Sequence, residues 1–467
     1  MRRSIHWFRR DLRVTDNTAL SHACQQSDEI IPLFILSKWK GNHPWTGANR
    51  QEFLCGCLQS LSQNLEAIGG RLILRAGDPV QVIEELVYAT RAEAVYFNRG
   101  TDPYSVRIQQ ELEKMGAKLQ VRILSYKDIT LFEPHEILTK EGNPFRVFTP
   151  YAKAWHDQEK PSLAPKIRTL RVPSNVSSLP LPTLEYWDLT SEAEIIGPGE
   201  KAARKRLANF LNGPMTAYRK TRNLPGEQMT SRLSQDLRFG TLSPRQIFFG
   251  CSETGKGLPA TERQSVNSYA NELIWREFYM QILAHFPTVI DRDFSDLFLS
   301  LQWDENDSVF QRWCEGETGF PIVDAGMREL NATGFMHNRV RMIVAMFLTK
   351  DLHIHWRKGE QYFMQKLVDG DIAANNGGWQ WCAGTGADAA PYFRIQNPWS
   401  QTKSYDPAGQ YIKRWVEELR EVDPKQFTQP PTERLARGYP TPMVDHAAER
   451  LETLERFNRA RRAVKVH

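Results

Sequence analysis

No apolar run approaches the roughly 18 residues needed to span a bilayer, so nothing in the chain reads as a transmembrane helix. A secretion signal is missing too. The opening MRRSIHWFRRDLR is charged where a signal peptide needs an apolar core. Cysteine is scarce, at six residues, with none at disulfide or zinc spacing; Cys55-Gly-Cys57 is the nearest pair. That excludes a disulfide framework and a cysteine metal site, and leaves reduced thiols in a soluble, cytoplasmic protein as the expectation. His353-Ile-His355 lacks an acidic or thiol partner at helical spacing, so it reads as structural and no metal is expected. Charge of one sign is barely in excess. Sixty Lys and Arg against 55 Asp and Glu leave a net +5, compatible with a polyanionic partner but too mild to establish one. There is no internal repeat and no low-complexity tract. No GxGxxG follows the first apolar run, where WFRRDLR stands instead, which removes a dinucleotide fingerprint.

What is present suffices for two or three domains in 467 residues, with the ordinary globular balance of 41% hydrophobic and 25% charged residues. Residues 1–128 alternate short apolar runs (5–8, 30–36, 71–74, 94–97, 120–124) with helical patterns (51–68, 79–90, 105–115). That alternation predicts βαβ units, hence an α/β domain with a doubly wound parallel sheet. Residues 129–197 hold eight prolines and serine clusters, and read as a connector. FRVFTPYAKAW (145–155) should be packed there, with the Pro/Ser part running over the surface. From 198 to 467 helical periodicity dominates, so an all-α C-terminal domain is expected. Eight of the thirteen tryptophans lie in that half, which places the aromatic chemistry there.

The densest chemistry is at 369–398, DGDIAANNGGWQWCAGTGADAAPYFRIQNP. Asp369 and Asp371 can accept several hydrogen bonds each, enough to hold a ribose or a heterocycle edge. Gly377-Gly378 lets backbone approach a flat ligand without a Cβ between them. Trp379 and Trp381 offer stacking surfaces. On these residues alone, a glycine-rich loop between core helices explains the stretch about as well. Gly384-Thr385-Gly386 reads as a turn. Upstream, Thr230 and Ser231 with Arg232 can cradle a diphosphate, although an N-cap is the commoner use of Thr-Ser before a helix. Glu272, Trp275, Arg276 and Tyr279 recur at helical spacing on one side, with Ile274, Phe278 and Ile282 as the core stripe. A helix over 337–349 repeats this, with Asn338, Arg341, Met342 and Ala345 on one side. Arg341 is the natural partner of Asp369, and core packing is the competing use of Met342.

IHWFRRDLRVTDNTAL (5–20), NELIWREFY (271–279), GFPIVDAGMRELNATGFMHNRVRMIVAMFL (319–348) and DGDIAANNGGWQW (369–381) are long and specific. On them the chain resembles the DNA photolyase/cryptochrome family, closest to the bacterial class I enzymes that split cyclobutane pyrimidine dimers. The resemblance implies an enzyme, a deoxyribodipyrimidine photo-lyase, with FAD as cofactor and UV-damaged DNA as partner. A monomer without an obligate protein partner is the expectation. For FAD it implies Tyr218, Thr230, Ser231, Arg232, Leu233, Ser234, Arg276, Asn338, Arg341, Asp369, Gly370, Asp371 and Asn375, the last facing the flavin N5. For the lesion and its DNA it implies Arg222, Glu272, Trp275, Tyr279, Asn338, Arg339, Met342, Trp381, Arg394 and Gln401, with Lys403 as a further basic residue beside the pocket. Glu272 would meet a thymine carbonyl edge as a proton donor, which requires a raised pKa. Trp379, Trp356 and Trp303 match the three-tryptophan relay that reduces the flavin. A second, antenna chromophore (methenyltetrahydrofolate or deazaflavin) is allowed beside the α/β domain. Tyr104-Ser105 stands where folate-binding relatives would carry Asn-Glu. Two rivals remain. A cryptochrome is disfavoured by Asn375, by the intact lesion-facing set and by the lack of a long C-terminal tail. An enzyme for the (6-4) photoproduct would use a His pair where Met336-His337 stands.

Overall fold

The computed structural model describes residues 2–464. Five parallel strands form one sheet: β1 (Arg3–Phe8), β2 (Glu29–Leu36), β3 (Ile73–Ala76), β4 (Ala94–Asn98) and β5 (Arg122–Tyr126), in the order β3-β2-β1-β4-β5. β1 is central, with Ile5 opposite Ile31 on one side and Val95 on the other. It is buried from Ser4 to Phe8 because apolar clusters cover both faces of the sheet. This is the expected α/β layer, with two strands displaced. Gln120 closes the Pro103–Leu119 helix in a left-handed conformation (φ 57°), so β5 starts only at Arg122. The turn carrying Gly69 (φ 84°) and its exit delay β3 to Ile73. Apolar runs did not reveal the Thr18–Gln26 helix. Its signal was Asn17, whose side chain accepts from the Leu20 N–H as an N-cap.

The connector is more packed than its prolines suggest. The Phe148–Asp157 helix buries Tyr151 and Trp155 in one cluster with Ile274 and Phe278. Ile167, Leu170 and Val176 are buried too, against the helix-covered faces of the sheet, so only part of the Pro/Ser stretch runs over the surface. Among the described residues every strand precedes Lys127, and helices make up the rest. The two halves meet through buried charge. Arg13 and Arg245 bind Asp128 at 2.5 and 2.7 Å, and Arg245 reaches Asp16 at 3.2 Å. Burial pushes the Asp128 carboxyl up, but the two guanidinium groups outweigh it and hold it at about 2. Gly240 sits at this seam with φ 67°, where a Cβ would strike the Arg10 carbonyl.

Candidate active site

The Ala260–His285, Asn338–Met346 and Ile372–Ala383 helices converge with the 229–234 loop on a cavity of about 520 Å³. That size suits a cofactor-scale ligand, for which pockets run about 300–1,000 Å³. Spacing on the first helix decides which side chains arrive. Glu272, Trp275, Arg276 and Tyr279 all line the cavity, while Ile274, Phe278 and Ile282 are buried in the core. One face of Trp275 is stacked on Phe148 of the connector, with centroids 3.7 Å apart and planes 4° off parallel. Arg222 Nη1 donates to Glu272 Oε1 at 2.5 Å. Thus Arg222, expected at the DNA, is engaged on the cavity wall. Burial raises the Glu272 pKa and the Arg222 charge only partly offsets it. The one-third of Glu272 that is exposed belongs to a side chain lining the cavity.

Within 369–398, residues Ile372–Ala383 form a helix rather than a loop. Asp371 is the N-cap of the Ile372–Ala383 helix, accepting from the Ala373 and Ala374 N–H groups at 3.1 and 3.2 Å. Arg341 pairs with Asp369 through two bonds of 3.2 and 2.9 Å. Gly370 lines the cavity and its carbonyl accepts from Arg238 Nε at 2.9 Å. The two adjacent glycines differ. Gly378 lines the cavity with open space where a Cβ would be, as the reading of a close ligand approach requires. Gly377 instead makes room for the Tyr279 ring. Around Asp371 gather Arg10, which pairs with it, together with Arg238 and Arg276. Burial would raise this carboxyl, yet the three guanidinium groups hold it far below the usual range. The same crowding and burial push Arg238 down to about 9 and Arg276 to about 10. This corner therefore carries a surplus of buried positive charge.

Thr230, Ser231, Arg232, Leu233 and Ser234 line the wall, as do Tyr218 and Tyr269. Thr230 and Ser231 cap nothing. The short Ser234–Phe239 helix has Leu233 at its N-cap, without a side-chain bond. Ser231 Oγ instead accepts from the Tyr269 hydroxyl at 3.0 Å. Arg232 is held in a left-handed conformation (φ 48°), its guanidinium 4.2 Å from the Phe335 ring centroid, and its Nε is buried without a protein partner. Asn338, Arg339 and Met342 complete the rim. Arg339 bonds Asn223 Oδ1 at 3.0 Å and lies over the Tyr405 ring.

Asn375, Trp379 and Trp381 line the cavity. Asn375 Nδ2 donates to the Glu360 carbonyl at 3.0 Å, which turns its Oδ1 away from that helix. Trp379 is 2% exposed, Trp356 wholly buried, and Trp303 half-buried at the protein surface. Neither Trp356 nor Trp303 lines the cavity; His355 lies between them, with ring centroids 5.5 and 5.1 Å away. Arg394 and Lys403 are exposed and Gln401 is half-buried on the Pro398–Tyr405 helix, and none of the three reaches the cavity wall. His353 pairs with Glu449 and His355 caps the Trp356–Lys366 helix. Sequence reasoning missed Phe148, Arg10, Arg238, Tyr269 and Phe335. Arg10, Phe148 and Phe335 stood inside quoted stretches (5–20, 145–155 and 319–348) without being singled out, and no local pattern marked Arg238 or Tyr269.

The donor set fits a long dianionic ligand with an aromatic end. An orphaned Arg232 Nε, two serine hydroxyls, the surplus guanidinium charge around Asp371 and Asn375 border the same cavity. The fold and this cavity define a flavin-binding protein whose helical half carries the cofactor. The model for the FAD binding domain of DNA photolyase matches residues 269–459, and that for DNA photolyase matches residues 4–169. A deoxyribodipyrimidine photo-lyase from Synechococcus sp. is 40% identical over 98% of this chain and 97% of its own. Among solved structures, a bacterial class III photolyase from Agrobacterium tumefaciens superposes with TM-score 0.92 at 35% identity, covering 99% of this chain and 98% of that one. An archaeal photolyase from Sulfolobus tokodaii, described with two FAD molecules, gives TM-score 0.85 at 31% identity over 98% and 100%. The chain belongs to the DNA photolyase family. It is a light-dependent DNA repair enzyme with FAD as its cofactor, and no helix among the described residues is long and apolar enough to cross a membrane.

Proposed function

We propose that the protein splits cyclobutane pyrimidine dimers, as the class I motifs imply. The observation that carries this reading is that Glu272, Trp275, Met342 and Trp381 share one cavity with Asn375, Arg341 and Asp369. A dimer turned out of the helix enters beside Trp275, whose far face is already stacked on Phe148 and therefore rigid. Trp381 and Met342 bound the same space on the opposite helices. Glu272, whose proton affinity burial raises, donates in its protonated form to a carbonyl of the dimer, and that bond strengthens as the base gains negative charge. When bound, reduced FAD would supply the light-driven electron that opens the ring and would recover it afterwards, with no net redox change. Asp369 and Arg341 would hold FAD at one side, Arg232 with Thr230 and Ser231 would hold its diphosphate, and Asn375 would offer an amide that accepts or donates without delivering a proton. Trp303, Trp356 and Trp379 form a relay from the surface inward: Trp303 is half-buried, and Trp356 and Trp379 lie in the interior. Arg339, with the exposed Arg394 and Lys403, contacts phosphates flanking the lesion. The protein acts as a monomer in the cytoplasm. An antenna chromophore beside the α/β domain, methenyltetrahydrofolate, a deazaflavin or a second flavin, completes the reading.

The test uses oligonucleotides bearing one defined lesion, mixed with the flavin-reduced enzyme in light and in darkness. Restoration of the cyclobutane dimer in light alone is the expected result. Repair of the (6-4) photoproduct instead, or binding without repair, would overturn the reading. Met336 stands where the first histidine of a (6-4) pair would be, and His337 uses its Nδ1 to accept from the Arg339 N–H as a helix cap. Burial and the flanking Arg341 and Arg339 push that imidazole down to about 4, so it is neutral and poorly suited to acid catalysis.

A further inference from the structure

Trp356 opens the Trp356–Lys366 helix, is wholly buried, and donates its indole Nε1–H to Asp293 Oδ1 at 2.7 Å. Asp293 is 8% exposed. Its turn is pinned next to the Ile372–Ala383 helix. The Phe294 N–H donates to Gln380 Oε1 at 2.8 Å and the Ser295 N–H to the Thr385 carbonyl at 2.9 Å. The carboxylate thus sits beside the helix that carries Trp379. The other two tryptophans are placed differently. Trp379 is edged by Phe363 and Trp313, with centroids 5.0 and 6.1 Å away. Trp303 is half-buried against His355, whose pKa burial and Arg357 push down to about 4, leaving it neutral. Among the described residues, Trp356 is the one of the three whose indole N–H meets a carboxylate.

We infer that Asp293 is the proton partner of Trp356, accepting the Nε1 proton while the electron vacancy stands on that ring and returning it when the vacancy moves to Trp303. This rests on the relay reading of the three tryptophans. An indole that has lost an electron is a strong acid at its nitrogen. In a site shielded from water, a cation left beside a carboxylate would be a buried ion pair, costly to sustain. Moving the proton along the existing hydrogen bond neutralises both partners. Burial raises the proton affinity of Asp293 against the opposing bonds from Thr385 and Trp356, which suits it to the role. The balance closes. Trp356 gives one electron to oxidised Trp379, its N–H bond breaks, and an O–H bond forms on Asp293. Trp303 then gives one electron to the neutral Trp356 radical, the proton returns to Nε1, and an added thiol reduces Trp303 at the surface.

The experiment is transient absorption on the FAD-loaded enzyme, in light and heavy water, for the wild type, Asp293→Asn and Trp356→Phe. The wild type should show a neutral tryptophan radical ahead of the Trp303 signal, formed more slowly in heavy water. Asp293→Asn keeps an acceptor of the same shape without proton affinity. It should show only the cationic radical, no isotope effect, and a photoreduction yield lower by roughly tenfold or more, in line with loss of a charge-assisted bond. If Trp356→Phe leaves photoreduction intact, the relay reading fails. If Trp356→Phe abolishes photoreduction while Asp293→Asn behaves as wild type, the relay stands and the proton partner is refuted. Should Asp293→Asn fail to hold flavin, the wild type decides alone: a purely cationic radical without an isotope effect refutes the inference.

Discussion

Replacing Glu272 probes the chemistry most directly. In Glu272→Ala the carboxyl that faces the cavity is gone, and its partner Arg222, 35% exposed, turns to solvent. A pair this accessible contributes little to stability, about 0–1 kcal/mol, so the variant should fold and retain flavin. Dark binding of the lesion loses one hydrogen bond to a neutral base, about 0.5–1.5 kcal/mol or roughly two- to twelve-fold in affinity. The repair yield per absorbed photon should fall further than that, because the bond is stronger to the electron-rich base than to the ground state. Glu272→Gln separates donor from charge, since its amide donates at every pH. The raised pKa keeps the wild-type carboxyl neutral at pH values where an exposed glutamate has ionised. Its yield should therefore decline as pH rises through that shifted value, whereas Glu272→Gln stays flat across the same window. The assay is the quantum yield of dimer splitting by pre-reduced enzyme at saturating substrate, beside a dark binding titration. An unchanged yield in Glu272→Ala with full flavin content would leave Glu272 a structural carboxylate and refute the reasoning.

Other outcomes follow from the same geometry. Trp303→Phe should slow light-driven reduction of the oxidised flavin yet leave dimer splitting by chemically pre-reduced enzyme almost intact; equal loss of both would remove Trp303 from the relay. Gly377→Ala drives a Cβ into the Tyr279 ring on the facing helix, so a loss of about 1–3 kcal/mol in a denaturant titration is expected from overpacking. Glu360 is 2% exposed and burial lifts its carboxyl from 4.5 to about 7, against the bond from Asn376. A folded-state pKa that is raised gives stability present below 4.5 and lost as pH climbs to 7, about 3 kcal/mol in all. Glu360→Gln should flatten that decline between pH 4.5 and 7, and a slope identical to wild type would show that Glu360 does not cause it. Affinity for undamaged duplex should fall with log salt at a slope of about −0.9 per phosphate neutralised, and lesion binding should fall less steeply because stacking is not screened.

The amino-acid sequence by itself determined the layered α/β start, the helical remainder and the faces of the two cavity helices. Those features rest on local periodicity: a two-residue alternation or continuous apolar run for strands, and a return every three to four residues for helices. The same spacing brought Glu272, Trp275, Arg276 and Tyr279 to one wall without knowledge of anything else in the chain. Tertiary structure alone decided what each of them meets. Phe148 backs Trp275 because the connector folds a helix onto the lesion side; the sequence marked 145–155 as packed but not what it packs against. Arg10 reaches Asp371 across 361 residues, and Asp293 meets Trp356 across 63. No periodicity encodes such pairs, because they arise where two separately formed surfaces close on each other. The protonation states share that origin. Burial and the count of neighbouring charges set them, so Glu272 is lifted while Asp371 is held down, although both are carboxylates in quoted motifs. Packing settled the glycines too: Gly378 faces the cavity and Gly377, one residue earlier, faces Tyr279, because successive positions on a helix point about 100° apart.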